Sequence, residues 1–82
     1  MENNLNEIGY KYLKINKLNE AIEILKLNVK LYPGSWNPYD SLGEAYALAG
    51  NKELAIQNYQ KSLELNPKNE IGIIALKKLK GE

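Results

Sequence analysis

The stretch Tyr39-Asp40-Ser41-Leu42-Gly43-Glu44-Ala45-Tyr46 decides the fold, because an echo of it stands 34 residues earlier as Leu5-Asn6-Glu7-Ile8-Gly9-Tyr10-Lys11-Tyr12. Under that shift Gly9 falls on Gly43 and Tyr12 on Tyr46. The register holds well past the quoted run: Ala21 falls on Ala55, Ile22 on Ile56, Leu31 on Leu65 and Pro33 on Pro67. A fixed period of this size marks a repeat architecture, in which each unit buries its apolar face only against its neighbours.

Apolar spacing and punctuation predict five helices. Leu5, Ile8, Gly9 and Tyr12 share one face of the first, about 3–15. It ends at Asn16-Lys17, asparagine being the residue after glycine that best tolerates a left-handed helix end. The second, about 19–31, stops at Tyr32-Pro33-Gly34 because proline cannot continue the hydrogen-bond ladder. Ser35 or Asn37 is expected to cap the third, about 36–49, with Pro38 in a first turn where a missing N–H costs little. The fourth, about 53–65, stops at Asn66-Pro67, and the fifth, about 70–80, follows Asn69 as its cap. Turns of two or three residues make consecutive helices antiparallel neighbours. Gly9 is expected to oppose Ala21, and Gly43 to oppose Ala55, at the points of closest approach. Ile8 and Tyr12 with Leu25, and Leu42 and Tyr46 with Tyr59, would fill the space around those contacts.

Composition narrows the function. The 82 residues, 44% hydrophobic and 26% charged, suit one small globular domain. Eleven basic residues against ten acidic leave a net charge of +1, no handle for nucleic acid or an anionic membrane. Every basic residue is lysine, and arginine is the preferred fork for phosphate and base edges. Cysteine and histidine are both missing, which removes disulfides, thiol nucleophiles, thiolate metal sites and the usual general base. No cofactor is expected. The N-terminus lacks the pattern of a signal peptide and no apolar run reaches membrane-spanning length, so a cytoplasmic setting is the expectation.

The run Tyr39-x-x-Leu42-Gly43-x-x-Tyr46, followed by Ala55, Tyr59, Ser62 and Pro67, resembles the tetratricopeptide repeat (TPR). The first repeat matches less fully: Leu5 takes the aromatic slot, Asn16 the turn glycine, Leu25 an aromatic and Asn28 a small residue. Glu70 onward resembles the first helix of a third repeat, with Ile73 and Leu76 in the packing slots and Lys77 where glycine is expected. The resemblance implies an all-α array of antiparallel helix pairs forming a single domain over residues 1–82. Repeat 1 covers about 2–35, repeat 2 about 36–69 and a capping helix about 70–80. It also implies a non-catalytic module for protein–protein interaction, whose partner is a protein or peptide. The run Leu31-Tyr32-Pro33-Gly34-Ser35-Trp36-Asn37-Pro38-Tyr39-Asp40-Ser41-Leu42-Gly43-Glu44-Ala45-Tyr46 is further similar to TPR tails on some bacterial serine hydrolases of the beta-lactamase-like class. That likeness implies the alternative of a tail that packs against or dimerises an enzyme domain.

In TPR proteins the first helix of each repeat lines a concave groove. The groove positions carry over to Asn3, Asn6, Tyr10, Leu13 and Lys14, to Asn37, Asp40, Glu44, Ala47 and Leu48, and to Ile71 and Ile74. Periodicity places those of the first two repeats opposite the Leu5–Ile8–Tyr12 and Tyr39–Leu42–Tyr46 stripes, and so outside the core. The same residues also read as the ordinary solvated side of short helices. The lysine and asparagine clamp that some chaperone-binding TPRs close on a carboxylate is not matched, its slots holding Asn6, Tyr10, Ser41, Ile71 and Ala75. Ile24 and Leu27 replace the polar Asn58 and Lys61 of the second repeat, an apolar stripe that suits self-association. Lys11 stands where the second repeat has Ala45, so the N-terminal edge is expected to be exposed. Asp40 and Glu44, one helical turn apart, lack the third ligand or histidine that catalysis or a metal would need. Lys77, Lys78 and Lys80 complement the dipole of a last helical turn.

Overall fold

The computed structural model describes the backbone of residues 2–82 and the side chains from Asn4 onward. Among these residues the elements are α1 (Glu2–Lys14), α2 (Leu18–Leu31), α3 (Trp36–Leu48), α4 (Lys52–Leu65) and α5 (Glu70–Lys80), with no strand. Consecutive helices pack on one another from α1 to α5, and α1 also touches α3. The fold is the all-α array of helix pairs that the 34-residue period implies.

Helix ends follow local chemistry. Asn16 is the one non-glycine residue with positive φ (61°) among the described residues, and Gly50 occupies the equivalent place in the second repeat at 83°. Both ends close in the same way. Lys17 N–H donates to the Tyr12 carbonyl at 2.8 Å and Asn16 N–H to Leu13 at 3.1 Å; Asn51 and Gly50 repeat this with Tyr46 and Ala47 at 2.9 and 3.1 Å. α2 and α4 stop at Tyr32 and Asn66, each one residue before a proline. Ser35 is the N-cap of α3 but its side chain makes no capping hydrogen bond, and Asn37 lies inside the helix. Asn69 caps α5 as expected. Asn51 caps α4 through Oδ1, which accepts from Leu54 N–H at 3.3 Å.

The core sits where α2, α3 and α4 meet: Leu25, Leu42, Ala45, Tyr46 and Ala55, with Ile22, Val29, Leu54 and Leu79 packed against them. Two expectations about this core need correcting. A Cβ on Gly9 would meet not Ala21 first but Leu25, at 2.7 Å from Cδ2, and one on Gly43 would meet the Tyr59 ring at 3.0 Å. The glycines are holes for large side chains of the antiparallel helix, since a knob of that size needs a facing position without a side chain. Ile8 and Tyr12 also fail to join the core. Leu42 and Tyr46 are 4% and 8% exposed because α2 packs over α3, whereas Ile8, on the face of α1 that no described helix covers, is 40% exposed.

Candidate functional site

α1, α3 and the start of α5 share a polar face whose side chains join elements distant in sequence. Tyr10 on α1 donates its hydroxyl to Glu44 Oε1 on α3 at 2.9 Å. Asn69, the cap of α5, donates through Nδ2 to Asp40 Oδ1 at 2.8 Å and to Ser62 Oγ at 3.2 Å. Its own Oδ1 accepts from Gly72 N–H at 3.2 Å. The two carboxylates one turn apart on α3 therefore reach in opposite directions, one to each neighbouring repeat. This explains the pair without catalysis: each carboxylate is a brace.

Burial shapes the electrostatics. Burial pushes the Tyr10 phenol up to about 12, with the Ser41 hydroxyl opposing and the Glu44 charge adding to the shift. Burial also raises the Asp40 carboxyl above the ordinary carboxylate value; the Asn69 hydrogen bond opposes this and the Glu44 charge reinforces it. Tyr59 moves up as well, chiefly by burial and then through the charges of Asp40 and Glu44. The floor of this face is thus acidic, partly dehydrated and rich in hydrogen-bond acceptors.

The residues assigned to the groove divide into distinct groups. Tyr10, Asp40 and Glu44 come together in this network. Leu48 at the end of α3 and Ile71 and Ile74 on α5 are apolar side chains 58%, 74% and 57% exposed. Lys14 is exposed and lines a shallow depression with Glu7, Tyr10 and Lys11, and Asn37 is half-buried. The side chain of Asn3 lies outside the described residues. Three others depart from the expectation that no groove residue belongs to the core. Leu13 and Ala47 pack against the core cluster, because they sit near the helix ends where the chain turns into the next helix. Asn6 is buried, with Oδ1 facing Asn28 Nδ2 at a long 3.5 Å, since an asparagine in the small-residue slot of α2 needs a polar neighbour. Ile24 is half-buried and Leu27 is 47% exposed.

Asn69 and Tyr59 were read only as a helix cap and a packing aromatic, yet both border the polar floor. Asn69 lies 29 residues from Asp40, and no spacing rule connects a cap with the middle of another helix. Among the described residues no group of three or more His, Cys, Asp or Glu could hold a metal ion. Nor is any of their helices long and apolar enough to cross a membrane.

An array of antiparallel helix pairs with a polar face along its first helices defines a protein of the helical-repeat class. Residues 41–69 match the tetratricopeptide repeat. Superkiller complex protein 3 of Homo sapiens is 34% identical over 61 residues, which make up 74% of this chain and 4% of that protein. The Mus musculus protein of the same name is 34% identical over 59 residues, 72% of this chain and 4% of its own length. The chloroplastic tetratricopeptide repeat domain-containing protein PYG7 of Arabidopsis thaliana is 30% identical over 66 residues, 80% of this chain and 22% of that protein. Residues 41–69 thus belong to the tetratricopeptide repeat family. The chain spans less than a quarter of the length of each of these relatives.

Proposed function

We propose that the face formed by α1, α3 and the start of α5 receives an extended peptide or a partner helix carrying basic and apolar side chains. The observation that supports this is an acidic floor accompanied by exposed apolar side chains. Asp40 and Glu44 are held by neutral partners, Asn69 and Tyr10, while Leu48 on the same helix and Ile71 and Ile74 on α5 are exposed. A cationic side chain would meet uncompensated carboxylates there, and an apolar one would be withdrawn from water. Bracing between repeats keeps the surface ordered, so little entropy is lost on the scaffold side. The role is non-catalytic.

A displayed peptide library selected on the protein, followed by calorimetric titration of the winning peptides, tests the reading. Leu48→Glu with Ile71→Glu should abolish binding, while Ile24→Lys with Leu27→Lys, on another helix, should leave it intact. Peptides that bind the first variant as tightly as the unaltered protein would overturn the groove assignment. The alternative, a tail that packs against or dimerises a bacterial hydrolase-type domain, rests on the 31–46 run alone.

A further inference from the structure

The outer edge of the first repeat carries a surface that the second repeat has covered. Leu42, Ala45 and Tyr46 are buried under α2, and their equivalents are Ile8, Lys11 and Tyr12. With Ile15, which is 62% exposed, these three line a depression of about 330 Å³. Tyr12 also borders a second depression of about 350 Å³, lined by Asn19, Glu20, Glu23 and Ile24. One tyrosine thus separates an apolar hollow edged by a lysine from an apolar hollow edged by two glutamates.

The charges decide what can cover this face. A further repeat stacked as the first is on the second would lay an apolar helix face over this edge, as Ile22, Leu25 and Val29 of α2 do in the shared core. Under such a helix the Lys11 ammonium would be buried without a counter-charge, at the place where Ala45 is 0% exposed. The face suits a partner that offers carboxylates beside apolar residues, and its own second half is such a surface. A two-fold axis near Tyr12 lays the lysine half of one copy on the glutamate half of another, twice over. Glu23 already holds an exposed ion pair with Lys26 at 3.6 Å, which leaves Glu20 as the less engaged carboxylate.

We propose that this edge is the interface of a symmetric homodimer, in which α1 of each copy lies on α2 of the other and Lys11 meets the partner subunit's Glu20 and Glu23. The surface gives self-association a specific location. Ile24 belongs to it and Leu27 lies one turn further along α2. It adjoins the groove side of α1 at Lys11, which also lines the depression beside Tyr10 and Lys14, whereas Glu20 and Glu23 on α2 lie apart from it; the E20K/E23K variant therefore separates a failure of this interface from a failure of the groove reading.

Light scattering and sedimentation from micromolar to millimolar concentration test it, using the unaltered chain, K11E and the double variant E20K/E23K. All three side chains are exposed, so circular dichroism should report the same helix content and cooperative melting in each. The unaltered chain should dimerise. Each variant alone sets like charges against one another at two symmetric contacts and should weaken dimerisation about a hundredfold. Mixing the two variants restores both contacts, so a heterodimer should form near the original affinity. A monomer throughout would overturn the proposal, as would a dimer indifferent to K11E or a mixture no tighter than its components.

Discussion

Gly43→Leu is the sharpest test of how the repeats hold together. A Cβ at this position would lie 3.0–3.1 Å from three atoms of the Tyr59 ring. Comfortable carbon contacts are about 3.5–4.0 Å, so the first added atom already intrudes by roughly half an ångström. The ring has little room to retreat, being 5% exposed with α3 and α4 closely packed around it. Replacing glycine in a helix interior returns at most about 1 kcal/mol of helix propensity. Overpacking by a single carbon costs about 1–3 kcal/mol, and leucine adds three more carbons in the same confined direction. The net loss is therefore about 3 kcal/mol, against a total near 4–12 kcal/mol for a domain of this size. Thermal unfolding followed by circular dichroism should show a fall on the order of 12–24 °C. Gly34→Ala is the control: no atom lies within 4 Å of its added carbon, and it should leave the melting temperature nearly unchanged. Adding Tyr59→Leu should recover part of the loss, so that the double variant is more stable than the summed effects require. An unchanged melting temperature for Gly43→Leu, or strict additivity with Tyr59→Leu, would refute this account of the packing.

Two further predictions concern the braces. Asp40 has a raised folded-state pKa, so the native protein binds that proton more readily than the unfolded chain. Its contribution favours folding at acid pH and is lost as pH rises from the unfolded to the folded pKa. Asp40→Asn keeps an acceptor for Asn69 and removes the buried charge; it should raise the melting temperature at pH 7 by a few degrees and flatten its pH dependence across the acidic window, as a series of melts would show. Asn69→Ala removes the α5 cap and the bonds to Asp40 and Ser62 together, for about 2–3 kcal/mol. Hydrogen exchange should then quicken first in α5, and uniform protection across all helices would count against the brace.

Much of the fold was legible because its determinants are local. Asn16 and Gly50 share a left-handed conformation, and the prolines at 33 and 67 stop α2 and α4, so five helices and their pairing follow from the residues at the ends. The 34-residue echo adds the stacking order. The groove was legible only as a face: periodicity chose the side of each helix, but it did not reveal that Asp40 is tied to Asn69 or that Asn6 is buried beside Asn28.

By itself, then, the amino-acid order determined the helices, their turns and the repeat, since these depend on backbone chemistry within a few residues. Tertiary structure decided which equivalent positions are covered and which polar groups find partners. Ile8 and Leu42 occupy one slot of the repeat, yet only Leu42 has a helix lying over it, because burial is a property of the neighbour and not of the residue.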